Sequence, residues 1–132
     1  MTTTRLAALL IATLVAGCAT PRTAPSVVEH EVTGYVHAGP VCPVAQDPPD
    51  PACADRPVAG ATLLAVDAAG VTFGETRTDA AGRFTMALPA GTWTLVPQPV
   101  EGLLGTAPPL EFVLDRDAAP IELDVAYDTG IR

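Results

Sequence analysis

Few side chains in this 132-residue sequence are suited to chemistry, and their spacing limits what they can do. Nucleophilic catalysis needs a hydroxyl or thiol beside a base. The chain has one serine, Ser26, and two histidines, His30 and His37. The histidines stand seven apart in one alternating stretch, so on a β-strand they project to opposite faces and cannot share a proton or a ligand. Three carboxylates, Asp47, Asp50 and Asp55, lie in a Pro-rich stretch and are oxygen donors of the kind Ca²⁺ takes. Their spacing matches no compact metal motif, and Ca²⁺ wants about six to eight oxygens, so the expectation is solvated acids with no metal and no cofactor. The remaining reactive groups are three cysteines, Cys18, Cys42 and Cys53.

Cys18 closes an address segment. Arg5 precedes a ten-residue apolar run, Leu6 to Val15, which is too short to span a bilayer as a helix but suits the core of an export signal. The run ends Leu14-Val15-Ala16-Gly17-Cys18. This resembles the lipobox of bacterial lipoproteins, in which small residues precede a Cys that is lipidated and becomes the new N-terminus. The resemblance implies a signal peptide over residues 1–17, a lipid on Cys18 and a Pro-punctuated tether over 18–26. Secretory cleavage near Ala19 is the alternative. Cysteine arithmetic favours the lipid, because assigning Cys18 to the anchor leaves Cys42 and Cys53 as an even pair in an oxidising compartment. A crosslink between them would close a ring of twelve residues, counting both ends, and stabilise by roughly 3 kcal/mol in the chain-entropy model. Two or three acyl chains hold far more firmly than one, so a membrane is the first expected partner.

These groups need a scaffold, and composition points to one. Gly and Pro supply 11 and 14 residues, well above ordinary usage, and both disfavour helices. With 48% hydrophobic and 17% charged residues, the chain buries too much to be disordered despite a net charge of −8. All seven cations are Arg, and an acidic chain without a basic patch excludes a nucleic-acid partner. From residue 27 to 132 the pattern is short alternating runs split by turn signals, which predicts an all-β chain of seven short strands in an antiparallel sandwich or barrel. Strands are predicted over Glu29–His37, Ala61–Val66, Val71–Thr78, Arg83–Leu88, Thr92–Pro97, Leu110–Leu114 and Ile121–Tyr127. Ile121, Leu123, Val125 and Tyr127 share a dry face of the last strand, while Glu122, Asp124 and Asp128 share a wet one. Phe84, Met86, Leu88, Trp93, Leu95, Leu110, Phe112 and Leu114 supply further core. Ala61, Leu63 and Ala65 facing inward would leave Leu64 and Val66 outward. Asp67-Ala-Ala-Gly70 and Asp79-Ala-Ala-Gly82 are near copies and read as hairpin turns, with Pro89-Ala-Gly91 a third tight connection. If Gly82 is left-handed, Gly82→Val should cost about 1–2 kcal/mol.

The run Thr78-Asp79-Ala-Ala-Gly82-Arg-Phe84, followed by Leu88-Pro89-Ala-Gly91-Thr-Trp93-Thr-Leu95, is similar to the signature of carboxypeptidase regulatory-like domains. Val32-Thr-Gly34-Tyr-Val36 and Pro57-Val-Ala-Gly60-Ala61 resemble that family's first two strands. The likeness covers about residues 30–127 and implies an all-β, seven-stranded antiparallel β-sandwich of the prealbumin-like (transthyretin-like) kind. Trp93 stands where the family more often has Tyr; it keeps the aromatic anchor but needs a partner for its N–H. The family implies an accessory role, in spacing, stiffening or binding, and no catalysis. The transthyretin-like hydroxyisourate hydrolase shares only the architecture: its catalytic His/Arg set and C-terminal Tyr-Arg-Gly-Ser are missing, and this chain ends Asp128-Thr-Gly-Ile-Arg132. The Lys–Asn isopeptide bond of some prealbumin-like surface domains cannot form in a chain with neither residue.

The feature the resemblance does not absorb is the long connection from Gly39 to Val58, which holds six prolines and both remaining cysteines. It is either a clamp on a long surface loop or a rigid recognition loop presenting Gln46, Asp47, Asp50 and Asp55. The expected function is a membrane-anchored extracytoplasmic lipoprotein, a non-catalytic binding or structural module at the cell envelope whose further partner is an envelope protein or a glycan. The rival is a carbohydrate-binding module, which needs exposed aromatics. Only Tyr35 is expected to face outward and Trp93 to be buried, which argues against strong sugar binding.

Overall fold

A computed structural model describes residues 24–131. The predicted signal segment and Cys18 lie outside the described residues. Among the described residues eight strands form: β1 (Glu29–Gly39), β2 (Arg56–Pro57), β3 (Thr62–Asp67), β4 (Thr72–Arg77), β5 (Arg83–Pro89), β6 (Gly91–Pro97), β7 (Leu110–Leu114) and β8 (Ile121–Asp128). Seven match the predicted runs, and the eighth is the two-residue β2. They build a two-sheet β-sandwich. In one sheet β1 is central, paired with β5 and then β2 along one edge and with β8 along the other. The second sheet has the order β4-β3-β6-β7. All pairings are antiparallel except β1 with β8. That pair is parallel because β7 delivers the chain to the end of the sandwich where β1 begins.

Period-2 alternation positions the core. His30, Val32, Val36 and Ala38 of β1 point inward, against Leu63, Phe84, Leu95 and Tyr127, all buried. Gly34 belongs to this inward row, and a Cβ there would overlap the Phe84 ring and the Leu123 carbonyl. Its missing side chain is what lets that ring lie across β1. Trp93 is buried and donates its indole N–H to the Pro89 carbonyl at 2.9 Å, the partner its N–H requires. The Tyr127 hydroxyl donates to the Gln98 carbonyl at 2.6 Å, and burial raises its pKa. Leu64 and Val66 lie on the outer face of the second sheet and are half-buried there.

Strand direction divides the loops between two ends. At the tether end are the lead-in to β1, the Asp67–Gly70 turn, Pro89-Ala90 and residues 115–120. At the loop end are residues 40–61, the Asp79–Gly82 turn, residues 98–109 and the C-terminal residues. β1 runs the whole way between them, roughly 33 Å at ~3.3 Å per residue. The Asp67–Gly70 turn joins the paired strands β3 and β4 as a hairpin. The second copy is not a hairpin between paired strands: it carries the chain from β4 in one sheet to β5 in the other. The two motifs fold identically, and what differs is the sheet that receives the next strand.

Candidate functional site

The Pro-rich connection projects from the loop end. Cys42 and Cys53 form the disulfide, with Cα atoms 5.2 Å apart. Inside the ring the Asp50 carboxylate accepts the Ala52 N–H at 2.9 Å and so caps a single 3-10 turn, Pro51–Cys53. Gln46 and Asp47 are exposed at the tip of the loop. Asp55 is not a free loop acid. It turns back onto β1, against Gly39, where any Cβ would overlap its carboxylate. The loop end also carries two adjoining depressions. One, of about 510 Å³, lies within the ring between Pro40, Val44, Gln46 and Pro51. The other, of about 370 Å³, is an apolar groove between Val41, Pro57, Val58, Val100, Leu103 and Ile131, with Arg56 and Glu101 at its rim.

Asp55 is held by His37. The His37 Nδ1 lies 2.7 Å from Asp55 Oδ2, and its Nε2 lies 3.0 Å from Asp124 Oδ2 on β8. A carboxylate can only accept, so both contacts are hydrogen bonds when the ring is protonated and each nitrogen donates. Partial burial lowers the His37 pKa, but the hydrogen bonds to Asp124 and Asp55, and then their charges, outweigh it and hold the pKa above its ordinary value. The clasp continues along the outer face of this sheet. Tyr35 stacks beside His37 with ring centroids 5.4 Å apart, the Arg83 guanidinium lies 5.1 Å over the Tyr35 ring, and Arg83 donates to Glu122 at 2.7 Å. The chain of contacts thus runs from β8 across β1 to the foot of the disulfide loop.

Sequence reasoning placed His30 and His37 on opposite faces, and they are: His30 is buried and His37 faces outward. It missed the clasp. The alternation puts Tyr35 and His37 on one face, but the partners come from a parallel strand and from a loop, whose register no local pattern announces. The four acids and amides expected in the loop do not act together: Asp50 caps, Asp55 binds His37, and Gln46 and Asp47 remain at the surface. Among the described residues no group of three or more His, Cys, Asp or Glu is disposed to hold a metal. Asp55 and Asp124 approach opposite edges of the His37 ring and so cannot converge on one ion.

Ser26 and His30 line one cavity at the tether end. The His30 Nδ1 lies 3.3 Å from the Ala118 carbonyl and its Nε2 has no hydrogen-bond partner, so the imidazole and the Ser26 hydroxyl are not hydrogen-bonded. Among the described residues no helix is long and apolar enough to cross a membrane.

No protein-family model and no curated protein sequence matches the chain. Its fold is shared by solved structures of low identity. The shaft pilin SpaA of Lactobacillus rhamnosus GG matches over 76% of this chain and 49% of its own, at 12% identity and a TM-score of 0.58. The N-terminal domain of that pilin matches over 80% of this chain and 98% of its own, at 12% identity and 0.57. GBS52, the minor pilin of Streptococcus agalactiae, covers 77% of this chain and 45% of its own, at 12% identity and 0.56. The chain therefore spans about half the length of the whole pilins and all but a little of one pilin domain.

Proposed function

We propose that the chain is a lipid-anchored extracytoplasmic protein whose sandwich serves as a non-catalytic binding or structural module at the cell envelope, with the disulfide loop as its contact surface. The observation that carries this reading is the placement of the two features at opposite ends of β1. Residues 24–28 lead into β1 at one end and the crosslinked loop projects from the other, so a lipid on Cys18 would anchor the first and display the second away from the membrane. The disulfide supports an oxidising compartment and leaves Cys18 as the odd cysteine. That the matched structures are pilins supports a structural or binding role over a catalytic one. The carbohydrate-binding alternative has less support, since Trp93 is buried and the Tyr35 ring is already engaged by His37 and Arg83, although Phe73 is exposed, against the expectation that Tyr35 alone would face outward.

Two measurements test the reading. Cys18→Ala should move the protein from the membrane fraction to the soluble one; persistence in the membrane would refute the anchor. A photo-crosslinking probe at Gln46 should give one discrete protein adduct in cells. A yield no higher than from a probe at Glu122 would leave the loop a structural clamp.

A further inference from the structure

The exposed apolar side chains are not spread evenly. Of the eight large ones that stay exposed among the described residues, Val27, Val28, Val71, Phe73 and Val113 gather at the tether end, and Val44, Leu104 and Ile131 lie at the loop end. Four of the five tether-end residues are about 60% exposed or more. Val27, Val28 and Phe73 are linked through the scaffold. Val27 and Val28 share a cavity of about 590 Å³ with Pro89, Ala90 and Arg116. Pro89 accepts the Trp93 indole N–H, and Phe73 packs edge-on against Trp93 with centroids 5.1 Å apart.

What covers this end is decided by where the chain leads. From Cys18 to Ala24 there are six Cα steps, at most about 22 Å when fully extended. If Cys18 carries the lipid, Ala24 stays within that distance of the bilayer, and the tether end is the part of the domain held nearest to it.

We propose that the tether end is a membrane-contact surface, in which Val27, Val28 and Phe73 enter the interfacial region of a phospholipid bilayer while Arg116 meets a lipid phosphate. The proposal rests on the lipid-anchor reading and goes beyond it, because an anchor alone would let the domain stand clear of the surface. Arg116 makes no ion pair among the described residues and is exposed beside the cavity, which leaves its guanidinium available to a phosphate oxygen. Glu29, Asp115 and Asp117 are exposed at the same end. Their charges oppose a strongly anionic membrane, so the surface fits zwitterionic headgroups and contact weakens as anionic lipid is added.

The chain carries its own reporter, since Trp93 is the single Trp and lies beneath Phe73. The lipidated full chain is reconstituted in phosphatidylcholine vesicles whose acyl chains are brominated near the headgroup, and in unbrominated ones. Trp93 emission should fall by roughly a third on the brominated lipid, since interfacial side chains reach only ~5–10 Å into the headgroup and acyl boundary. The fall should shrink when a quarter of the lipid is replaced by phosphatidylglycerol. Val27→Asp with Val28→Asp, in the lead-in to β1, should abolish the fall while flotation with the vesicles is kept. Wild-type protein that floats but emits equally on both lipids overturns the proposal and leaves the anchor standing, as does a fall that survives in the double variant. Wild-type protein that does not float removes the anchor and the proposal together.

Discussion

The two ends of the sandwich are built on copies of one turn and use it differently. In Asp67-Ala-Ala-Gly70 at the tether end and Asp79-Ala-Ala-Gly82 at the loop end, the Asp carboxylate accepts two backbone N–H groups, each at 2.9 Å. Each Gly is left-handed, at φ +81° and +73°. Yet a Cβ on Gly70 would meet nothing within 4 Å, whereas one on Gly82 would overlap the Val36 carbonyl and lie 3.0 Å from Pro57 Cβ. The reason is that the second turn is part of the wall of the loop end. Gly82 O accepts the Val36 N–H at 2.7 Å, taking over β1 where β5 stops, and Val36 O then accepts the Val58 N–H at 2.9 Å. Thr78, buried beside it, donates to Val58 O and accepts the Ala61 N–H. Local chemistry makes the turn, and neighbours decide how much the fold depends on it.

The sharpest way to break this comparison is to substitute both glycines. Gly82→Val carries the left-handed penalty of about 1–2 kcal/mol and an overlap with backbone that adds about 1–3 kcal/mol, so urea unfolding should show a loss of roughly 2–5 kcal/mol. This exceeds the 1–2 kcal/mol that the turn motif alone implies. Gly70→Val should lose only the first part, about 1–2 kcal/mol. Equal losses would mean that the two ends are equivalent after all. The disulfide is the next largest difference between the ends. Cys42→Ala with Cys53→Ala should cost about 3 kcal/mol and free the amides of residues 40–55 to exchange, with no change in the turn at Asp67–Gly70. Protection lost equally at both ends would contradict a loop-end clamp.

The aspartates invert the expectation. Asp67→Ala and Asp79→Ala each remove the acceptor of two N–H groups in an exposed turn, and each should cost about 1 kcal/mol. A matched pair here beside an unmatched glycine pair would place the difference in tertiary packing and not in the turn. A large gap between them would overturn that division.

Legibility in the sequence follows the same line. The strands were readable because alternation and turn chemistry are local: Leu110–Leu114 is found at the bounds predicted, and Ile121–Asp128 with one dry face. The pairing of Cys42 with Cys53 followed from counting, without geometry. What was not readable depended on which strands became neighbours. The parallel registry of β8 on β1 sets Asp124 beside Tyr35, within reach of His37, and no feature of residues 121–128 says so. The eventual sheet of β5 made a crossing of a turn that looked like a hairpin. Asp55 and Asp50 were grouped as loop acids because they are close in sequence, and the fold gives them unrelated partners.

The smallest expected effect isolates the clasp that ties the loop to the sheet. His37 is flanked by Asp55 and Asp124, with the Tyr35 ring beside it and the Arg83–Glu122 pair beyond. Its pKa is raised in the folded protein, so protonation favours folding. The stabilisation is complete below the unfolded value, about 6.5, and is lost as pH rises through the higher folded value. The thermal midpoint should therefore fall across that window, with the amides around Asp55 becoming less protected while those around Val71 keep their protection. His37→Gln should flatten the dependence in the same window. A midpoint that rises with pH there, or a slope unchanged in His37→Gln, would show that the loop end is held by its disulfide and by Thr78 without help from the imidazolium. The difference between the ends would then be one of packing alone.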